Sequence, residues 1–236
     1  MIPPALELRD VHAGYGQIEV LRGVDLVVPA ASVVVLLGAN GAGKTTTMKV
    51  IDGRHRHRSG CVHVAGQHLS GPASGKLARA GLCSIPEGRG IFPNLTVEEN
   101  LRLVTYAREH LSASEVEARA FERFPVLSKR RRQLAGTMSG GEQQMLAMAR
   151  SVVTDPALLL VDEPSMGLSP LVVGQVYDVV GQLAADGMAV LLVEQFARLA
   201  LAVADYAAVM AHGRVRAFGE PADMEDVAQH YLGGAA

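Results

Sequence analysis

Cysteine is scarce in this chain. Cys61 and Cys83 are the only two in 236 residues, and their spacing fits neither a disulfide framework nor a metal site, so a reduced, cytosolic setting is the plain reading. Lysine is scarcer than arginine: four of the 22 basic residues are lysines, which makes Lys44 conspicuous. Charge of one sign is not in excess either. The formal net charge of −2 argues against a general nucleic-acid binder. The opening MIPPALELRD has an early acid and no apolar core, so no secretory signal is expected. No run approaches the roughly 20 apolar residues that span a bilayer; the longest such stretch, Leu199–Ala211, is broken by Asp205. Repeats and low-complexity segments are absent, and the eight histidines show no metal spacing. The stretch after Glu220 is short, so no appended regulatory domain is expected.

Apolar content is ample. At 49% hydrophobic the chain can bury a sizeable core. Short apolar runs alternate with helical patterns, which predicts an α/β fold with a mostly parallel sheet covered by helices. Strands are expected at Leu6–Val11, Glu19–Val28, Val33–Leu37, Cys61–Val64, Leu82–Ile85, Leu158–Val161, Ala189–Val193, Ala207–Met210 and Val215–Phe218, the last two facing each other across a turn at Gly213. From Thr96 to about Ala149 the pattern is helical, opening on a capping box in which Thr96 caps and Glu99 reaches back. This implies one domain in which residues 1–91 and 138–236 form the core and residues 92–137 a helical insert. SGPASG, at 70–75, reads as a surface loop.

Three stretches carry chemistry. In SVVVLLGANGAGKTTTM an apolar strand runs into Gly38, Ala39, Asn40, Gly41, Ala42, Gly43, Lys44 and Thr45, matching G-x-x-x-x-G-K-[ST] throughout, with Thr46 following. Glycines let backbone N–H groups turn inward around phosphate, and the helix starting near Lys44 adds its positive end. Lys44 then reaches the β- and γ-phosphates of a nucleoside triphosphate, and the Thr45 hydroxyl ligates Mg²⁺. In ALLLVDEP, Asp162 and Glu163 end a buried strand, where open α/β sheets place ligands. Asp162 is expected to hold Mg²⁺ and Glu163 to accept a proton from, or orient, the attacking water. AVLLVEQ ends similarly on Glu194 and Gln195. In TMSGGEQQMLAMARS, Ser139, Gly140 and Gly141 precede an amphipathic helix; taken alone, the glycines suit a flexible cap as well as an anion nest.

Together these residues resemble the ATP-binding cassette (ABC) family. GANGAGKT is similar to its phosphate loop, MSGGEQQ to its signature motif and LLLVDEP to its Mg²⁺ and catalytic strand. The resemblance implies a P-loop fold with an antiparallel β subdomain and a helical subdomain, ATP and Mg²⁺ as ligands, and Tyr15 stacking on adenine. It implies, too, that the strand ends at Asp162-Glu163 and Glu194-Gln195 both deliver polar side chains to one γ-phosphate. It also implies a second cassette, with ATP held between Lys44 of one chain and Ser139, Gly140, Gly141 and Glu142 of the other. PEGRGIFPNLTVEENL, DEPSMGLSP and LLVEQ further resemble the cassettes of branched-chain amino-acid importers (LivF type). That likeness implies two membrane permease subunits, a solute-binding protein acting through them, and a peripheral place on the cytoplasmic face of the membrane; related urea, amide and short-chain solute importers use very similar cassettes. Most cassettes have glutamine where this chain has Glu87 (a further Mg²⁺-side residue), aspartate at Ser169, and a γ-phosphate histidine at Gln195. Glutamine can donate one hydrogen bond but cannot shuttle a proton, so slowed rather than abolished hydrolysis is expected.

Two other readings stand beside the transporter. One is a soluble, non-transport cassette such as an assembly factor; the other is a nucleotide switch with negligible turnover. The basic runs Arg54–Arg58 and Lys129–Arg132 read mainly as solvated segments. Phe92, Pro93 and Asn94 fit either subdomain packing or the groove that receives a permease helix.

Overall fold

The computed structural model describes residues 3–69, 74–106, 111–195 and 197–232. The chain opens with β1 (Leu6–Tyr15), β2 (Ile18–Val28), β3 (Val33–Leu37), α1 (Lys44–Ile51), β4 (Ser59–Val64) and β5 (Gln67–His68). α2 (Ser74–Arg79) and β6 (Leu82–Ile85) precede a helical stretch of α3 (Val97–Arg102), α4 (Ala113–Arg123), α5 (Pro125–Ser128) and α6 (Gly140–Val152). The remainder is β7 (Leu158–Asp162), α7 (Pro170–Ala185), β8 (Ala189–Glu194), α8 (Ala197–Leu201), β9 (Tyr206–Ala211), β10 (Arg214–Gly219) and α9 (Pro221–Leu232).

Two sheets result. The first is antiparallel, in the order β2-β1-β4-β5. The second runs β10-β9-β3-β8-β7-β6, parallel apart from the β9–β10 hairpin at its edge. Strand alternation divides the second sheet between two cores. Val33, Val35 and Leu37 face a core shared with α6 and α7, whereas Val34 and Leu36 face one shared with α1 and the antiparallel sheet. α1 is thus sandwiched between the sheets, with Met48 and Ile51 fully buried. Apolar runs with no polar alternation are what a strand covered on both faces requires.

β3 and β6 begin and end where the sequence predicts. β1 runs four residues further than expected, because its alternation breaks at the adjacent exposed Arg9 and Asp10 and pairing resumes after irregular register at Val11. The two-residue β5 was not foreseen. The helical stretch carries the Thr96–Glu99 capping box and two more of the same kind, Ser112–Glu115 and Ser139–Glu142. It is broken where Pro125 denies a backbone donor, and it includes short 3-10 segments at Leu103–Tyr106 and Ala135–Thr137. Of the loop expected at 70–75, residues 70–73 lie outside the described residues, and Ser74 and Gly75 begin α2. Among the described residues no helix is long and apolar enough to cross a membrane.

Polar pins set the strand heights. The Asp205 carboxylate accepts the Val33 N–H at 2.8 Å, and the Asp205 N–H donates to the Val33 carbonyl at 2.9 Å. At the hairpin tip, the Gly213 N–H donates to the Ala42 carbonyl and the Gly213 carbonyl accepts from the Arg22 N–H, both at 2.9 Å. A β-carbon on Gly213 would stand 1.9 Å from the Val20 carbonyl oxygen, and its φ is +75°, so only glycine fits between β2 and the loop after β3.

Candidate functional site

β3, β7 and β8 are adjacent and parallel, so their carboxyl ends open on one edge of the sheet. The loop Gly38–Gly43 leaves β3 and enters α1 at Lys44. Gly43 is the residue before the helix, at φ +114°. A β-carbon there would meet Met210 at 2.8 Å, and one on Gly38 would meet the Met210 carbonyl oxygen at 2.8 Å. The loop is therefore moulded against β9 as well as being free to point N–H groups inward. Asn40, Gly41 and Thr45 are exposed; Thr46 is buried.

Lys44 is 5% exposed. Its ammonium donates to the Gly38 carbonyl at 2.7 Å and lies 3.3 Å from Glu163 Oε1. Alternation along β7 turns Leu158 and Leu160 toward the α1 side, and Asp162 follows on that phase. Burial raises the Asp162 carboxyl to about 6, with the charges of Glu163 and Glu87 adding to the shift and Lys44 and Arg54 opposing it. Glu163 adopts φ +44°, a left-handed conformation rare for a non-glycine residue. Its N–H donates to the Val193 carbonyl at 2.9 Å, tying the turn after β7 to β8. Two acids, Asp162 and Glu163, thus stand beside Lys44 at the strand ends; among the described residues no three His, Cys, Asp or Glu side chains converge as a metal site of their own.

Glu194 departs from the sequence reading. It is 1% exposed and turns away from the open edge into the core under α7. There its carboxylate accepts from Tyr177 OH at 2.7 Å, from Ser165 N–H at 3.1 Å and Oγ at 2.9 Å, and from the Gln195 N–H at 3.3 Å. Only Gln195, half-buried, remains to face outward from this strand end. The signal was in the alternation: Val190 and Leu192 share the α7-side core, and Glu194 is next in that phase.

The other predicted residues lie apart from this cluster. Tyr15, 45% exposed at the end of β1, packs its ring 4.5 Å from that of His55 and has the Lys49 ammonium 5.9 Å from its centroid. Ser139 caps α6: its N–H and hydroxyl donate to Glu142 Oε2 at 3.0 and 2.9 Å, and Glu142 is also paired with Arg130. β-carbons on Gly140 and Gly141 would strike Arg89, Leu168 and Val172, none of them in the phosphate loop. Glu87 is exposed in the turn before α3. That turn is held to α6 by Arg89, which donates to Gln143 at 2.6 Å, and by Arg150, which donates to the Gly90 carbonyl at 2.7 Å and stacks on Phe92. Some members of the basic runs also pair within the chain: Arg54 with Asp52, Arg58 with the Gly16 carbonyl, and Arg131 with Glu98 and Glu117, while residues 129–132 stay exposed.

A sequence model of the family described as ABC transporter matches residues 21–166. The chain is 41% identical to the high-affinity branched-chain amino acid transport ATP-binding protein BraG of Pseudomonas aeruginosa, over 89% of its length and 90% of the relative's. It is 35% identical to the probable branched-chain amino acid transport ATP-binding protein LivF of Archaeoglobus fulgidus, covering 87% of each chain. Likeness extends to the lipopolysaccharide export ATP-binding protein LptB of Escherichia coli, 32% identical over 97% of both chains. Among solved structures, an ATP-binding subunit of an ABC transporter superposes with a TM-score of 0.81 at 32% identity, covering 98% of this chain and 95% of that one.

Proposed function

Since the chain belongs to the ABC transporter family, as an ATP-hydrolysing subunit, we propose that it energises an importer of branched-chain amino acids. The observation that carries the ATPase part is the meeting of Lys44 with Glu163 beside Asp162 at the carboxyl ends of β3 and β7. The likeness to BraG and LivF supports the solute. Lys44, Thr46 and the N–H groups of Gly38–Thr45 bind the phosphates, and Tyr15 stacks on adenine. Thr45, Asp162 and Glu87 would hold Mg²⁺, which supplies positive charge to the phosphates; one or two carboxylates plus phosphate oxygens are what Mg²⁺ ordinarily takes. Glu163 orients or deprotonates the attacking water, and Gln195 donates to the γ-phosphate. Ser139, Gly140, Gly141 and Glu142 close over nucleotide held by a second cassette, an identical chain or a paralogue.

Closure of the two cassettes drives two permease subunits fed by a solute-binding protein, with this chain peripheral on the cytoplasmic face. A paralogous partner with the usual histidine would make the two composite sites unequal. Steady-state ATPase of the assembled complex tests the roles: Glu163→Gln should cost roughly 10²–10⁴-fold at this site, and Gln195→Ala up to roughly 10²–10³-fold. Unchanged turnover in Gln195→Ala would reduce Gln195 to a structural residue. Removing the chain from its cell should abolish ATP-dependent uptake of labelled leucine, isoleucine and valine. Intact uptake with failed lipid export would select the alternative that the LptB likeness favours.

A further inference from the structure

Glu194 is a buried ionisable group with no part in the roles just assigned. Among the described residues its carboxylate has four donors and no cationic partner. An ionised carboxylate is an acceptor only, so its two oxygens match four N–H and O–H donors without leaving one orphaned. Burial raises its pKa, and the donations from Tyr177, Ser165 and Gln195 act the other way to favour the charged form.

What the carboxylate joins is more informative than its burial. Oε1 takes the Ser165 N–H and Tyr177 OH, and Oε2 takes the Ser165 hydroxyl and the Gln195 N–H. Ser165 lies two residues after Glu163, in a loop built of successive turns: Met166 N–H donates to the Glu163 carbonyl and Leu168 N–H to the Ser165 carbonyl. Tyr177, on α7, fixes the carboxylate from behind. One side chain therefore grips both polypeptide segments that leave the edge of the sheet beside the phosphate loop.

We infer that Glu194 is a positioning residue for ATP hydrolysis, holding the Glu163 turn and Gln195 in fixed relation so that both address one γ-phosphate. This rests on the roles given above to Glu163 and Gln195. None of these four hydrogen bonds involves the phosphate loop, which carries most of the nucleotide contacts assigned above, so loss of the device falls mainly on turnover.

The test is steady-state ATPase and nucleotide affinity of the assembled complex carrying Glu194→Gln or Tyr177→Phe. In Glu194→Gln an amide NH₂ replaces an acceptor among donors; kcat should fall about ten- to a hundredfold, the scale of an ångström-level misplacement of reacting groups, while KM and nucleotide affinity change far less. Tyr177→Phe keeps the ring and removes one donor, so a smaller fall in kcat with affinity again little changed is expected; it also decides the matter if Glu194→Gln does not fold. Adding Gln195→Ala to Glu194→Gln should cost less than the product of the two single losses. A lowered Tm with kcat unchanged per folded complex would overturn the inference, as would parallel losses of kcat and affinity. Glu163→Gln, measured alongside, separates the two ideas. Retained turnover there would sink the base assignment while leaving the split between kcat and affinity at Glu194 legible.

Discussion

Gly141 offers a test in which geometry predicts a change of sign. A β-carbon at this position would stand 2.3 Å from Val172 Cγ1, but 3.5 Å from Val172 Cβ and 3.7 Å from Cγ2. Relief of a 2.3 Å contact needs about an ångström of movement between α6 and α7, or a different Val172 rotamer. Overpacking of this kind costs about 1–3 kcal/mol. Against it, alanine in place of a helical glycine stabilises by about 0.4–1 kcal/mol through the unfolded chain. The net expectation for Gly141→Ala is a loss of roughly 0.5–2 kcal/mol, a Tm lower by about 2–6 °C for a chain of this size. Val172→Ala removes the offending methyl and leaves the 3.5 Å contact, which is ordinary van der Waals distance. In that background Gly141→Ala should become neutral or stabilising by up to about 1 kcal/mol. Urea and thermal unfolding of the four proteins in the cycle measure the coupling. Additive effects, within about 0.5 kcal/mol, would refute the packing account.

Asp162→Asn should stabilise the nucleotide-free protein above pH 6. The folded carboxyl, raised to about 6, disfavours its charged form, so its contribution to stability is whole below about pH 4 and is lost as pH rises to 6. The gain from asparagine is therefore about 1–3 kcal/mol at pH 7.5 and vanishes near pH 4; an equal gain at both pH values would contradict it. Gly213→Ala should destabilise by about 3 kcal/mol or more, since strain at positive φ adds to a 1.9 Å clash with backbone. Calorimetry should also show weaker ATP binding, because the hairpin tip holds Ala42; an unchanged affinity would detach the tip from the phosphate loop.

The sequence was most legible where one local rule decides the outcome. The spacing of glycines and Lys44 anticipated the turn from β3 into α1, and the β7 run anticipated where Asp162 and Glu163 fall, because strand, turn and helix there are contiguous. Glu194 was misread because its partners, Tyr177 and Ser165, are 17 and 29 residues away. Polar residues at a strand end look alike until α7 covers one face. Gly140 and Gly141 were legible as a helix start but not as a contact with Arg89, Leu168 and Val172, which only the fold assembles. The two further capping boxes were available in SASE and SGGE, and pass unnoticed inside a stretch that already reads as helix.

The composition of β3 has a last consequence. Its residues, VVVLL, are apolar on both faces, so a shift of one residue would exchange one set of aliphatic side chains for a nearly identical one. Alternation therefore carries almost no information about this strand's register. A slip would nevertheless displace the phosphate loop by about 3.3 Å, the rise of one residue. What forbids it lies at the strand's two ends: the paired hydrogen bonds between Asp205 and Val33, and the absent β-carbon of Gly38 against Met210. Asp205, at the far end of the strand from any phosphate, thereby sets the height at which Lys44 stands.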